Sequence, residues 1–99
     1  MLMYKLLLFL KKSDDEKIFI HFKEITLNLL SEIAGFEIKI AKVESSLLPD
    51  VKYDYCCELS AESKYEMDKK MNSRAGRQLM RDLADYHQNF ITIFINYGG

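Results

Sequence analysis

The sequence has no tryptophan, one proline, four glycines and two cysteines among its 99 residues, and each scarcity excludes something. Cys56 and Cys57 are neighbours in a strand-like stretch, so their side chains point to opposite faces and are poorly placed to pair. A disulfide framework is therefore not expected, and reduced thiols in a cytoplasmic protein are. Two histidines and two adjacent cysteines offer no metal-ligand spacing, so no metal is expected. The glycines, Gly35, Gly76, Gly98 and Gly99, form no phosphate-cradling loop. The longest unbroken apolar run, Leu6 to Leu10, is far too short for a membrane span. Lys5 interrupts the N-terminal apolar stretch and no small-residue cleavage site follows, so no signal peptide is expected.

An excess of charge is missing as well. Fourteen Lys and Arg residues stand against fifteen Asp and Glu residues, giving a net charge of -1. Phosphate binding needs a concentrated positive face, so nucleic acid is not an expected partner. The basic group Lys69, Lys70, Arg74, Arg77 and Arg81 reads as a solvated helix face.

What is present is a repeated pattern within one domain, residues 1–99. Met3 to Lys11 reads as a central strand, apolar on both faces. Ser13-Asp14-Asp15-Glu16 has capping-box spacing. Ile18, Phe22, Ile25, Leu29 and Ile33 then form an amphipathic stripe that Gly35 stops. His21 falls on the polar side of that helix and reads as solvated. Phe36 to Val43 alternates as a second strand, and a connection with a Pro49-Asp50 turn follows. Leu47 and Leu48 in that connection are candidates for a fold-back, lid or subunit contact.

The second half repeats the unit more tightly. Tyr53 to Leu59 alternates, with Tyr53, Tyr55, Cys57 and Leu59 on one face and Asp54, Cys56 and Glu58 on the other. Ser60 is placed to cap the next helix, which breaks at Asn72-Ser73 and resumes through Leu79, Met80, Leu83 and Tyr86. Phe90 to Ile95 is a strand apolar on both faces, with Phe90, Thr92 and Phe94 sharing one side.

Strand, helix, strand, strand, helix, strand predicts an α+β, ferredoxin-like βαββαβ fold, a four-stranded antiparallel sheet with both helices on one face. The uncovered face would then present Met3, Leu7, Phe9, Ala41, Cys56, Phe90 and Phe94. That is too apolar for a monomer, and a second copy stacked sheet to sheet in a homodimer would bury it.

Three stretches resemble the EthD-like family of the dimeric α+β barrel group. Tyr53 to Leu59 (YDYCCEL) resembles that family's third strand, with its glutamate at Glu58. Asn72-Ser73-Arg74-Ala75-Gly76 resembles its mid-helix break, and Asp82-Leu83-Ala84-Asp85-Tyr86 its Asp-x-x-x-aromatic helix end. The family's late-helix histidine and following proline fall here near Thr26 and Asn28, and His21 lies a turn earlier. The resemblance thus implies neither a carried-over histidine role nor haem chemistry. It implies a chamber between the two sheets for a small hydrophobic or aromatic molecule, with oxygenation, cyclisation or isomerisation without a metal or organic cofactor. Glu58 would be its base, Lys5, Asp54 and Thr92 its polar neighbours, and Phe9 and Phe94 its walls. The competing reading makes Glu58 and Lys5 a structural ion pair in a non-catalytic dimerisation module, and it carries more weight.

Overall fold

The structure is a computed structural model that describes residues 3–45, 47 and 50–98. Leu48 and Pro49, for which the sequence suggests an apolar contact and a turn, lie outside the described residues. Strand β1 (Tyr4–Lys11) is central and pairs antiparallel with β3 (Tyr53–Ala61) and β4 (Phe90–Asn96). The edge strand β2 (Ala41–Lys42) completes a sheet of order β2-β3-β1-β4. The expected βαββαβ architecture is present.

Helices α1 (Glu16–His21) and α2 (Leu27–Ala34) are joined by a π-helical turn (Phe22–Thr26), all three in right-handed helical backbone. Gly35 ends this run in the left-handed region, φ 81°, as expected of a terminating glycine. Helices α3 (Lys64–Met71) and α4 (Arg74–Asp85) follow β3 and meet at the expected break, where the Ser73 hydroxyl accepts from the Gly76 amide at 3.1 Å. Gly76 is there because a Cβ would strike the Lys70 and Met71 carbonyls. The other two caps sit later than expected. Asp15, not Ser13, caps α1, and Ser63 caps α3 because Ser60 still belongs to β3.

Registration on β1 decides which side chains face the helices. Leu6, Leu8 and Leu10 are all but fully buried on the helix side. Opposite them stand Leu59, Cys57 and Tyr55 from β3, and Phe94, Thr92 and Phe90 from β4. The phase of β4 is therefore the reverse of the expected one. Phe90, Thr92 and Phe94 point to the helix side, where Phe90 is buried with its ring 5.8 Å from that of Phe22 while Thr92 and Phe94 stay exposed, and Ile91, Ile93 and Ile95 face away. A strand apolar on both faces carries no internal signal of which side is which, and a slip of one residue exchanges them.

Two further departures have local causes. A register shift between Leu10 and Lys11 sets Tyr53 opposite Lys11, and its ring lies 5.2 Å from Phe9 on the side away from the helices. Asp54 is displaced by the same irregularity. It borders a hollow at the start of α1, with Ser13, Asp15 and Phe19, instead of facing Phe9. The second strand is two residues long, not eight, because the Ile38 amide donates to the Ser31 hydroxyl at 2.9 Å instead of to the sheet. In the first helical run the buried positions are Phe22, Thr26, Leu30 and Ile33, while Ile25 is exposed. The π turn absorbs one extra residue and so delays the inward stripe by one position.

Cys57 belongs to this core. Burial, with help from Cys56 and Glu58, pushes its thiol from an ordinary 9.0 up to about 12. Below pH 9 the thiol is protonated whether the chain is folded or not, and stability owes nothing to pH through it. Between pH 9 and 12 only the unfolded chain ionises there, which pulls the equilibrium toward unfolding by up to about 1.4 kcal/mol per pH unit. Urea titrations from pH 8 to 11 should show Cys57→Ala less stable than wild type at pH 8 but losing stability less steeply. Parallel slopes would contradict the assignment.

Candidate ligand sites on the two sides of the sheet

On the side away from the helices, Leu7, Phe9, Ala41 and Cys56 floor a shallow hollow of about 170 Å³, with Lys39 and Glu58 at its edge. Glu58 Oε1 accepts from Lys5 Nζ at 3.0 Å. Half of the Glu58 side chain is in water, 52% against 19% for Lys5, so the pair is worth at most about 1 kcal/mol. Lys5 also lies 5.6 Å above the Tyr97 ring. Of the residues singled out from the sequence, Lys5, Phe9 and Glu58 share this side; Asp54, Thr92 and Phe94 do not.

Thr92 and Phe94 line a different space. The helices do not cover the sheet fully toward its β4 edge, and a groove of about 620 Å³ opens there. Leu6 and Phe94 come from the sheet, Met71 from α3, and Met80, Leu83 and Ala84 from α4. Polar atoms enter only through Asp68, Asn72 and Thr92. An apolar concavity of this size with a few polar groups is the usual form of a small-molecule site. Nothing in the alternation of β4 announced it, because its existence depends on the phase of that strand.

A third cluster joins the first helical run to α4. Asp82, 9% exposed, accepts from Thr26 Oγ1 at 2.6 Å through Oδ2 and from His21 Nε2 through Oδ1. The His21 ring stacks on Tyr86, centroids 3.9 Å apart. In an α-helix, residues five apart point about 140° away from each other. The π turn between them brings His21 and Thr26 onto one carboxylate. His21 is thus held, not solvated as its place on the polar stripe suggested. The available signal was Asp82 itself, an acid at an inward position between Leu79 and Tyr86. Chemically the cluster fixes the imidazole orientation, with Nε2 as donor. Among the described residues no buried side-chain polar atom lacks a partner.

The basic residues Lys69, Lys70 and Arg74 border another hollow together with Glu32 and Glu66, so opposite charges interleave there. No helix of the described residues is long and apolar enough to cross a membrane.

No known family model matches the sequence, and no curated protein does. Solved structures do match. An ethyl tert-butyl ether D (EthD) family protein from Bacillus halodurans superposes with a TM-score of 0.77 at 18% identity, over 94% of this chain and 96% of that one. The fold is ferredoxin-like. A DABB family protein of that fold from Mesorhizobium loti gives 0.65 at 14% identity, over 99% and 96% of the two chains. A dimeric protein of unknown function from Bacteroides fragilis gives 0.52 at 9% identity, over 97% and 96%. At these identities the likeness is one of fold, and the contents of each site must be argued from this chain's own residues.

The Thr26–Asp82 bond gives a direct test. Thr26→Val keeps the shape and removes the hydroxyl, leaving one buried carboxylate oxygen without its donor. It should lower the unfolding free energy by about 1–3 kcal/mol in urea titration. An unchanged midpoint would mean that Asp82 is satisfied otherwise.

Proposed function

We propose that this chain works as a homodimer that binds a small hydrophobic molecule in the groove between the α3–α4 layer and strand β4. The observation that carries the reading is the groove itself: about 620 Å³, floored by Leu6 and Phe94 and walled by Met71, Met80 and Leu83. Methionine walls adapt to irregular apolar shapes, which suits a ligand without many polar handles.

The dimer rests on the other side of the sheet. Ile93 is 44% exposed there, beside half-buried Leu7, Phe9, Tyr53 and Ile91. Full withdrawal of such a side chain from water is worth on the order of 1.5–3 kcal/mol, and these, already partly buried, each contribute a fraction of that toward the cost of association. The same fold in the Bacteroides fragilis protein, described as dimeric, supports this reading. Glu58 belongs in it to the interface, as half of the Lys5 ion pair, and not to chemistry in an inter-sheet chamber. That pairing, with Glu58 half in water, favours the interface over the base.

Two outcomes follow. The wild-type chain should sediment at twice its 11.6 kDa mass, and Ile93→Glu should sediment as a monomer that keeps its helical signal. In the groove, Ala84→Trp places a large ring on an exposed lining position. It should abolish saturable binding of a naphthalene probe by isothermal titration with the melting temperature unchanged. Full binding by this variant would move the ligand elsewhere.

A further inference from the structure

The groove's polar atoms are distributed unevenly, and their character restricts the ligand further. Among the described residues Asp68 is the one ionisable residue lining it, and its charge is negative. Asn72, beside it, caps the C-terminal end of α3 and adds a neutral amide, since the N-terminal end of α4 begins two residues on and offsets the α3 dipole there. The third polar liner, Thr92, is neutral. The cations nearest in sequence are directed elsewhere: Lys69 Nζ lies 3.9 Å from Glu66, and Lys69, Lys70 and Arg74 border the hollow shared with Glu32. Lys64 does meet Asp68, at 3.0 Å from Oδ2, but it does not line the groove and is 69% exposed, so water screens much of its effect.

From this arrangement we infer that the groove selects a ligand with an apolar body and a hydrogen-bond-donating hydroxyl or amine, and excludes the same body bearing a carboxylate. The inference rests on the groove being the binding site. A donor group set at the Asp68 and Asn72 end meets an acceptor carboxylate and an amide oxygen, whereas a carboxylate set there meets a like charge that Lys64, outside the lining and 69% exposed, compensates only in part. The apolar body lies along Leu6, Met71, Leu83 and Phe94.

The test is a matched series, naphthylmethylamine, naphthalenemethanol and naphthoate, titrated calorimetrically into the wild-type protein at neutral pH. Asp68→Asn, at a largely exposed position, keeps the shape and removes the charge. The amine and the alcohol should bind about tenfold or more tightly than naphthoate, the size expected of one partly screened charge at close range. Asp68→Asn should weaken the amine, strengthen naphthoate and leave the alcohol nearly unchanged, with no change in melting temperature. Equal or tighter binding of naphthoate, or an order that Asp68→Asn does not alter, overturns the selectivity while leaving the groove as a binding site. Failure of all three to bind saturably, or binding undiminished in Ala84→Trp, removes the groove reading and this inference with it.

Discussion

The pairing of β1 with both of its neighbours is the constraint on which the other features depend. Leu6, Leu8 and Leu10 can be buried only if they face the helices, and once they do, every residue opposite them on β3 and β4 is assigned a side. A shift of β4 by one residue would turn Ile91, Ile93 and Ile95 to the helix side and turn Phe90 away from it. The core would then lose the contact between the Phe22 and Phe90 rings. The helix-side groove and the bare opposite side are two consequences of the same register.

Those two sides differ in chemistry. The side without helices has a hollow of about 170 Å³, and in its Lys5–Glu58 pair the Glu58 side chain is half in water. Such a surface suits contact with another protein surface more than enclosure of a ligand. The helix side leaves a concavity of about 620 Å³ because α3 and α4 stop short of covering β4. Within the helical layer, Asp82 ties His21 and Thr26 together, and that polar link, buried and fully partnered, holds α4 against the first helical run. The fold is shared with proteins that are 18% identical or less, so these side-chain details are properties of this chain.

Much of the architecture was legible because local signals and global fold agree. The apolar residues on both faces of the first strand mark it as central, and the stop at Gly35 and the cap at Ser73 each name their own place. The Lys5–Glu58 pair was legible too, as the ion pair expected of two adjacent strands. What was not legible depended on information that no single segment contains. The phase of β4 is set by β1, since Phe90 to Ile95 is apolar throughout. The displacement of Tyr53 and Asp54 comes from a one-residue irregularity in pairing. The π turn is invisible to a search at α-helical spacing, so Ile25 was expected inside where Thr26 is. The groove was hidden for the first of these reasons: with β4 reversed, Thr92 and Phe94 belonged to the wrong side.

The assignment of sides is tested most directly by nuclear Overhauser effects in a dimer formed from one isotope-labelled and one unlabelled copy. Filtered experiments then separate contacts between subunits from contacts within one. Contacts between subunits should involve Phe9, Ile91 and Ile93, while Phe94 and Thr92 should give contacts only within their own subunit, to Leu6 and Leu83. Intersubunit contacts from Phe94 or Thr92, with Ile93 seen only against helix residues of its own chain, would reverse the sheet and contradict both proposed sites.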